Sequence, residues 1–149
     1  MTKLGELVKA EFDSKNCGHG YDPKTETYTP WYRFLRFRVK YMNKIDGTCD
    51  GHTDTRSRLI EVKRYKVIKT AAILYHETKH ADFFPMYAAM HIGTFFGGFW
   101  ITYSNSENFG LLIGTLAGSG AVGLSTGLIE KIEEWYANKN EVRMFGIID

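Results

Sequence analysis

Two histidines and a glutamate stand together in the run His76-Glu77-Thr78-Lys79-His80. On an α-helix, residues four apart share a face one turn apart, so both imidazoles can hold one metal ion. Glu77, about 100° round the helix, can reach a water on that metal. Metal-assisted peptide hydrolysis needs this arrangement: two neutral imidazoles hold Zn2+, the metal acidifies its water, and the carboxylate carries the proton to the leaving amine. The motif therefore predicts His76 and His80 as zinc ligands and Glu77 as the general base.

A catalytic zinc takes a third protein ligand and keeps one position open. His91 is a poor candidate, because an unbroken helix would carry it about 16 Å from His80. A packed or interhelical role is expected for it. The better source is a C-terminal helix at Leu128–Arg143, where Glu130, Glu134 and Asn138 share a face and Ile132, Trp135 and Tyr136 form an apolar side. Glu133 and Glu141 are further carboxylates on it. Arg143, Tyr136 and Tyr87 are the candidate donors for a transition-state oxyanion.

These groups need elements to position them. Trp31–Tyr41 alternates Leu35, Phe37, Val39 and Tyr41 with Arg36, Arg38 and Lys40, which predicts a half-buried strand. Arg58–Lys63 supplies a second apolar, β-branched run able to pair with it as a hairpin, across a loop containing Asp46-Gly47 and Asp50-Gly51. Residues 14–30 read as loop with a short extended piece at Thr25–Thr29. Tyr65–Asp82 places Val67, Ile68, Ala71, Ala72, Leu74 and Tyr75 at helical spacing and so predicts the helix that carries the motif.

Charge is distributed unevenly. Residues 1–82 hold sixteen Lys/Arg and eleven Asp/Glu, residues 83–129 hold only Glu107, and residues 130–149 hold three basic and five acidic groups. Phe83–Tyr103 and Phe109–Ile129 are each long enough to cross a bilayer core. Gly93/Gly97, Gly110/Gly114/Gly118 and Gly123/Gly127 recur at the four-residue interval that lets membrane helices approach closely. Lys79 lies before the pair and Lys131 and Lys139 after it, while the connection at 104–108 has no Lys or Arg. A membrane hairpin at 83–129 with both polar ends cytoplasmic is expected. The alternative is a soluble cytoplasmic protein that packs its glycine-rich helices in a core or against another copy.

Other classes recede. Arg33, Arg36, Arg38 and Lys40 are interleaved with apolar residues rather than forming a sustained basic surface, so no nucleic-acid partner is expected. The charges of Lys3, Glu6 and Lys9 interrupt any secretory apolar stretch. Cys17 and Cys49 are expected as free thiols; with His19 and His52 they offer a second metal set, but Cys-x-His spacing suits zinc poorly. The length and a hydrophobic share of 44% fit a single domain over 1–149. The expected fold class is α+β: a small antiparallel hairpin or sheet, the motif helix, an apolar helical hairpin and a C-terminal glutamate helix.

Glu134-Trp135-Tyr136-Ala137-Asn138 resembles the Glu-x-x-Ala-Asp/Asn element of the gluzincin metallopeptidases, especially the integral-membrane group that includes HtpX and the CaaX prenyl proteases. That group also places hydrophobic segments between its His-Glu-x-x-His helix and its glutamate helix. The resemblance implies His76, His80 and Glu134 as zinc ligands, Glu77 as general base, and Asn138 as a group orienting a ligand histidine. The expectation is a zinc endopeptidase acting on a peptide or protein substrate, with membrane lipid as a partner. The competing expectation is a non-enzymatic membrane or particle-assembly protein that forms homo-oligomers through its glycine-rich helices, with a structural or vestigial metal site.

Overall fold

The computed structural model describes residues 3–45, 49–104 and 110–146. They form α1 (Lys3–Ser14), β1 (Tyr21–Asp22), β2 (Thr27–Tyr28), β3 (Phe37–Met42), β4 (Gly51–Asp54), β5 (Leu59–Lys63), α2 (Val67–Ser104) and α3 (Gly110–Phe145). The class is α+β, as expected. The chain divides into two compact units, one running to Asp82 and resuming at Trp135, the other spanning Phe83–Glu134.

In the first unit α1 buries Val8 and Phe12, one turn apart on one face. The helix ends where Asn16 turns to φ 52, with Cys17 N–H bonded to the Phe12 carbonyl (2.9 Å) and Asn16 N–H to that of Asp13 (3.1 Å). Those two bonds are the paired closure of a Schellman stop. Gly18 follows at φ 73, and a Cβ there would run into the Phe12 ring, so both backbone and packing require glycine.

The five strands lie in the order β1-β2-β3-β5-β4. Two hairpin turns in this sheet use the same chemistry. Asp22 accepts from Lys24 N–H and the Thr25 hydroxyl before Glu26 at φ 50; Asp54 accepts from Arg56 N–H and the Ser57 hydroxyl before Arg58 at φ 54. Each is an Asx-type turn closed by a left-handed residue.

The expected alternation in the Trp31–Tyr41 run is present from Phe37 onward, with Phe37, Val39 and Tyr41 buried and Arg38 and Lys40 exposed. Its partner is also as expected, but the pairing is parallel, with Val39 opposite Ile60 and Tyr41 opposite Val62. The intervening chain returns as β4 on the far side of β5, pairing antiparallel with it and reversing its direction relative to β3. The sheet is therefore mixed. Its buried face packs Phe37, Val39, Tyr41, Ile60 and Val62 with Val8 and Phe12 of α1 and Ala71, Leu74 and Tyr75 of α2.

The sequence predicts separate elements at 65–82 and 83–103, and again at 109–129 and 128–143. Each pair is one continuous helix. Helix α2 runs through Pro85, which cannot donate to the carbonyl of Ala81. The Tyr32 hydroxyl donates to that carbonyl instead (2.9 Å), and Trp31 Nε1 donates to the next one, Asp82 (3.0 Å). Burial and the Asp82 charge push Tyr32 up to about 12, so it keeps the proton it donates.

In the second unit, α2 and α3 run antiparallel. Gly118 meets Phe95, Gly98 meets Ala117 and Gly118, and Gly114 meets Phe99, each so closely that a Cβ would be crowded. Gly93, Gly97, Gly123 and Gly127 instead face open space. Their four-residue spacing alone could not tell the packed side from the open one. Thr94, Thr102, Thr115 and Thr126 return their hydroxyls to carbonyls one turn back, which leaves few polar groups for the surroundings to satisfy. The connection at 105–109 lies outside the described residues. Helix α3 is long and apolar enough to cross a membrane, and only 17% of its apolar stretch is buried.

Candidate metal centre

The motif occupies the third and fourth turns of α2, within the part held against the sheet. Leu74, Tyr75, Thr78 and Ala81 are buried there, which fixes the rotation of the helix and presents His76 and His80 together. Their Nε2 atoms converge to 3.1 Å. Two ligand nitrogens at tetrahedral zinc bond lengths would stand about 3.3 Å apart, so the pair fits one ion.

Glu134 stands directly before Trp135 on unbroken α3, within a turn of the buried Ala137. His76, His80 and Glu134 each offer one ligand atom, all within 4.8 Å of one another, a donor set that could hold a metal ion. Glu130 and Glu133 do not join a grouping of this kind among the described residues.

Nδ1 of His76 is 2.9 Å from Glu141 Oε2. A carboxylate there holds the proton on Nδ1, so the Nε2 lone pair, which faces His80, is the one that could bind a metal. Glu141 is thus a hydrogen-bond partner of His76, where the sequence marks it only as a further carboxylate. Asn138 itself is exposed, one turn beyond Glu134.

Glu77 is 6% exposed and packs against β4. The Thr53 hydroxyl lies 2.7 Å from its Oε2 and 3.0 Å from its backbone carbonyl. A Cβ on Gly51 would fall 2.5 Å from Glu77 Oε1, so a larger residue would displace the carboxylate. Burial raises the Glu77 pKa, opposed by the Thr53 hydrogen bond and by His80 and His76. A carboxyl raised in this way is a stronger base than one in water.

On the neighbouring side of α2, Lys79 Nζ and the Tyr28 hydroxyl both reach Asp82, each at 2.8 Å. Burial opposes the Lys79 charge, but Asp82 outweighs it and the pKa rises. These residues border a cavity of about 560 Å³ that also takes in Cys17 and His19, and neither motif histidine lines it. Both cysteines are free, Cys17 buried and Cys49 exposed. The proposed oxyanion donors are scattered in character: Tyr136 is half-buried, Arg143 is exposed, and Tyr87 packs its ring on His91 at 4.4 Å. His91 is a packed residue, as expected, with Nδ1 buried and lacking a hydrogen-bond partner.

Thr53 and Gly51 were not legible as site residues, because Gly51-His52-Thr53-Asp54 lacks apolar alternation and reads as loop. The signal that could have found them is the Asp54–Ser57 turn ahead of the predicted strand at Arg58. No protein-family model, curated protein or solved structure matches the chain.

Proposed function

We propose that this chain is a membrane-anchored zinc endopeptidase of the gluzincin type. The observation that carries the reading is a donor set of one ligand atom each from His76, His80 and Glu134 within 4.8 Å of one another, with a buried Glu77 on the same helix as the histidines. His76, His80 and Glu134 would hold the ion. Bound there, zinc would supply Lewis acidity toward a water and toward the scissile carbonyl.

Glu141 keeps the His76 proton on Nδ1. Glu77 takes a proton from the attacking water and returns it to the leaving amine. The Thr53 hydroxyl fixes the carboxylate rotamer for that transfer. Strands β3 and β5 are interior in the sheet, and β4 is the edge next to Glu77. An extended peptide adding to β4 would lie beside the base, which favours unfolded or juxtamembrane substrates.

Membrane anchoring rests on the two uncharged runs of the hairpin, its outward Ile92, Phe96, Leu112, Leu116 and Leu124, and Trp100 and Tyr103 near one end. Both polar ends would lie in the cytoplasm. The test is peptide cleavage by purified protein loaded with zinc, beside Glu77→Gln. Cleavage lost with zinc retained supports the reading, and cleavage unchanged in the variant removes Glu77 as base.

A second reading has one observation in its favour: Gly93, Gly97, Gly120, Gly123 and Gly127 are open on the hairpin surface, where further helices could pack. An ordered oligomer without bound zinc or cleavage would support a non-enzymatic assembly protein instead.

A further inference from the structure

The loop at Trp31–Arg36 exposes two large aromatic side chains, Trp31 at 71% and Phe34 at 68%. It is a built feature. Arg33 sits at φ 59 between Phe34 N–H and the Tyr32 carbonyl (2.8 Å), the geometry of a γ-turn that side-chain-bearing residues rarely adopt. Arg33 N–H also bonds the Pro30 carbonyl at 3.0 Å. Tyr32 packs between its neighbours, edge-on to Trp31 with ring centroids 5.5 Å apart and tilted against Phe34 at 4.4 Å.

The loop is fastened to one place on α2. Tyr32 and Trp31 donate to the carbonyls of Ala81 and Asp82, the last two residues before the uncharged stretch begins at Phe83. The only N–H of the Trp31 side chain is thus already bonded within the protein, and its apolar ring is left facing out. Arg33 and Arg36, both exposed, flank the aromatics. Aromatic rings with cations beside them, at the boundary of an apolar helix, match the acyl–headgroup zone of a bilayer.

We propose that the Trp31–Arg36 loop is a membrane-interface anchor, seating Trp31 and Phe34 at the acyl–headgroup boundary and Arg33 and Arg36 against anionic headgroups. The inference rests on the membrane reading of the hairpin. Its role would be to hold the polar unit at a set depth on the bilayer surface.

The test uses the full chain in vesicles of phosphatidylcholine and phosphatidylglycerol carrying bromine at shallow or deep acyl positions. A variant with Trp100→Phe and Trp135→Phe reports Trp31 alone, and one with Trp31→Phe and Trp135→Phe reports Trp100 alone. Trp31 emission should fall about twofold with the shallow quencher and less with the deep one. Arg33→Glu with Arg36→Glu should remove about half of that quenching.

Trp31 unquenched while Trp100 is quenched overturns the anchor and leaves the hairpin reading standing. Neither residue quenched overturns both. Quenching of Trp31 that ignores the arginine substitutions overturns the anionic part of the proposal.

Discussion

Glu141 Oε2 sits 2.9 Å from His76 Nδ1, joining residues 65 apart in sequence. The contact selects which ring nitrogen of His76 carries the proton, and the other faces His80. Glu141→Ala should therefore weaken zinc binding by roughly 10–100-fold without removing a ligand. Competition against a chelating dye measures this, and an unchanged affinity would leave Glu141 as surface charge. Asn138→Ala, in parallel, should lose less.

Thr53→Ala removes the hydroxyl from a carboxylate that is almost fully buried. One hydrogen bond to a charged acceptor contributes about 1.5–3 kcal/mol, so kcat/KM for peptide cleavage should fall roughly 10–100-fold. Zinc content should stay at the wild-type level. Loss of metal in this variant would mean that Thr53 supports the ligand histidines and not the base.

Phe12 is fully buried and meets Tyr21, Tyr75 and Phe145 edge to face. Phe12→Ala should destabilise the first unit by about 3–5 kcal/mol in denaturant unfolding. Because Tyr75 precedes His76, zinc affinity should fall with it. A loss below about 1 kcal/mol would mean that α1 is not integral to the core.

Asp50 accepts from the Tyr65 hydroxyl at 2.5 Å, and that bond, against a smaller opposing burial effect, lowers its pKa. The folded pKa lies below the unfolded value, so this contact adds stability above the unfolded pKa, and the contribution disappears as pH falls through the folded one. The Tm gap between wild type and Tyr65→Phe should be full at pH 6, begin to narrow near the ordinary Asp value of 3.8, and close only below the lower folded pKa. A gap independent of pH would assign the effect to packing.

Cys49 is exposed, whereas Cys17 is buried and its thiol pKa is raised by that burial despite Lys79 and Lys15 nearby. Iodoacetamide near pH 8 should alkylate Cys49 first and Cys17 roughly tenfold more slowly. Equal rates would place Cys17 in solvent.

The fold was legible where one face of an element meets a core. Phe37-x-Val39-x-Tyr41 declares its strand because water and core impose a two-residue period. The helix carrying the motif declares itself through Ala71, Leu74 and Tyr75. Helix α1 was missed because Lys3, Glu6 and Lys9 mask the one-turn pair Val8 and Phe12. Strand β4 was missed because an edge strand of polar residues has no periodicity to read. Reading a change of polarity as an element boundary divided α2 at 82 and α3 near 129. The backbone has no reason to break at either place, since Tyr32 and Trp31 satisfy the carbonyls near Pro85.

The candidate site was legible in a different way. His76 and His80 follow from helix geometry alone. Glu134 stands among Glu130, Glu133 and Glu141 in the sequence, and only the resemblance singles it out; with His76 and His80 it forms a set that could hold a metal ion. Thr53, Gly51 and the contact of Glu141 with Nδ1 depend on which strand lies over which helix turn. No local pattern encodes that.

Zinc analysis of wild type beside His76→Ala and Glu134→Ala tests the central claim most directly. About one zinc per wild-type chain, with loss in both variants, is the predicted result. Full zinc retained in Glu134→Ala, or a wild type that binds none when zinc is supplied, would contradict it.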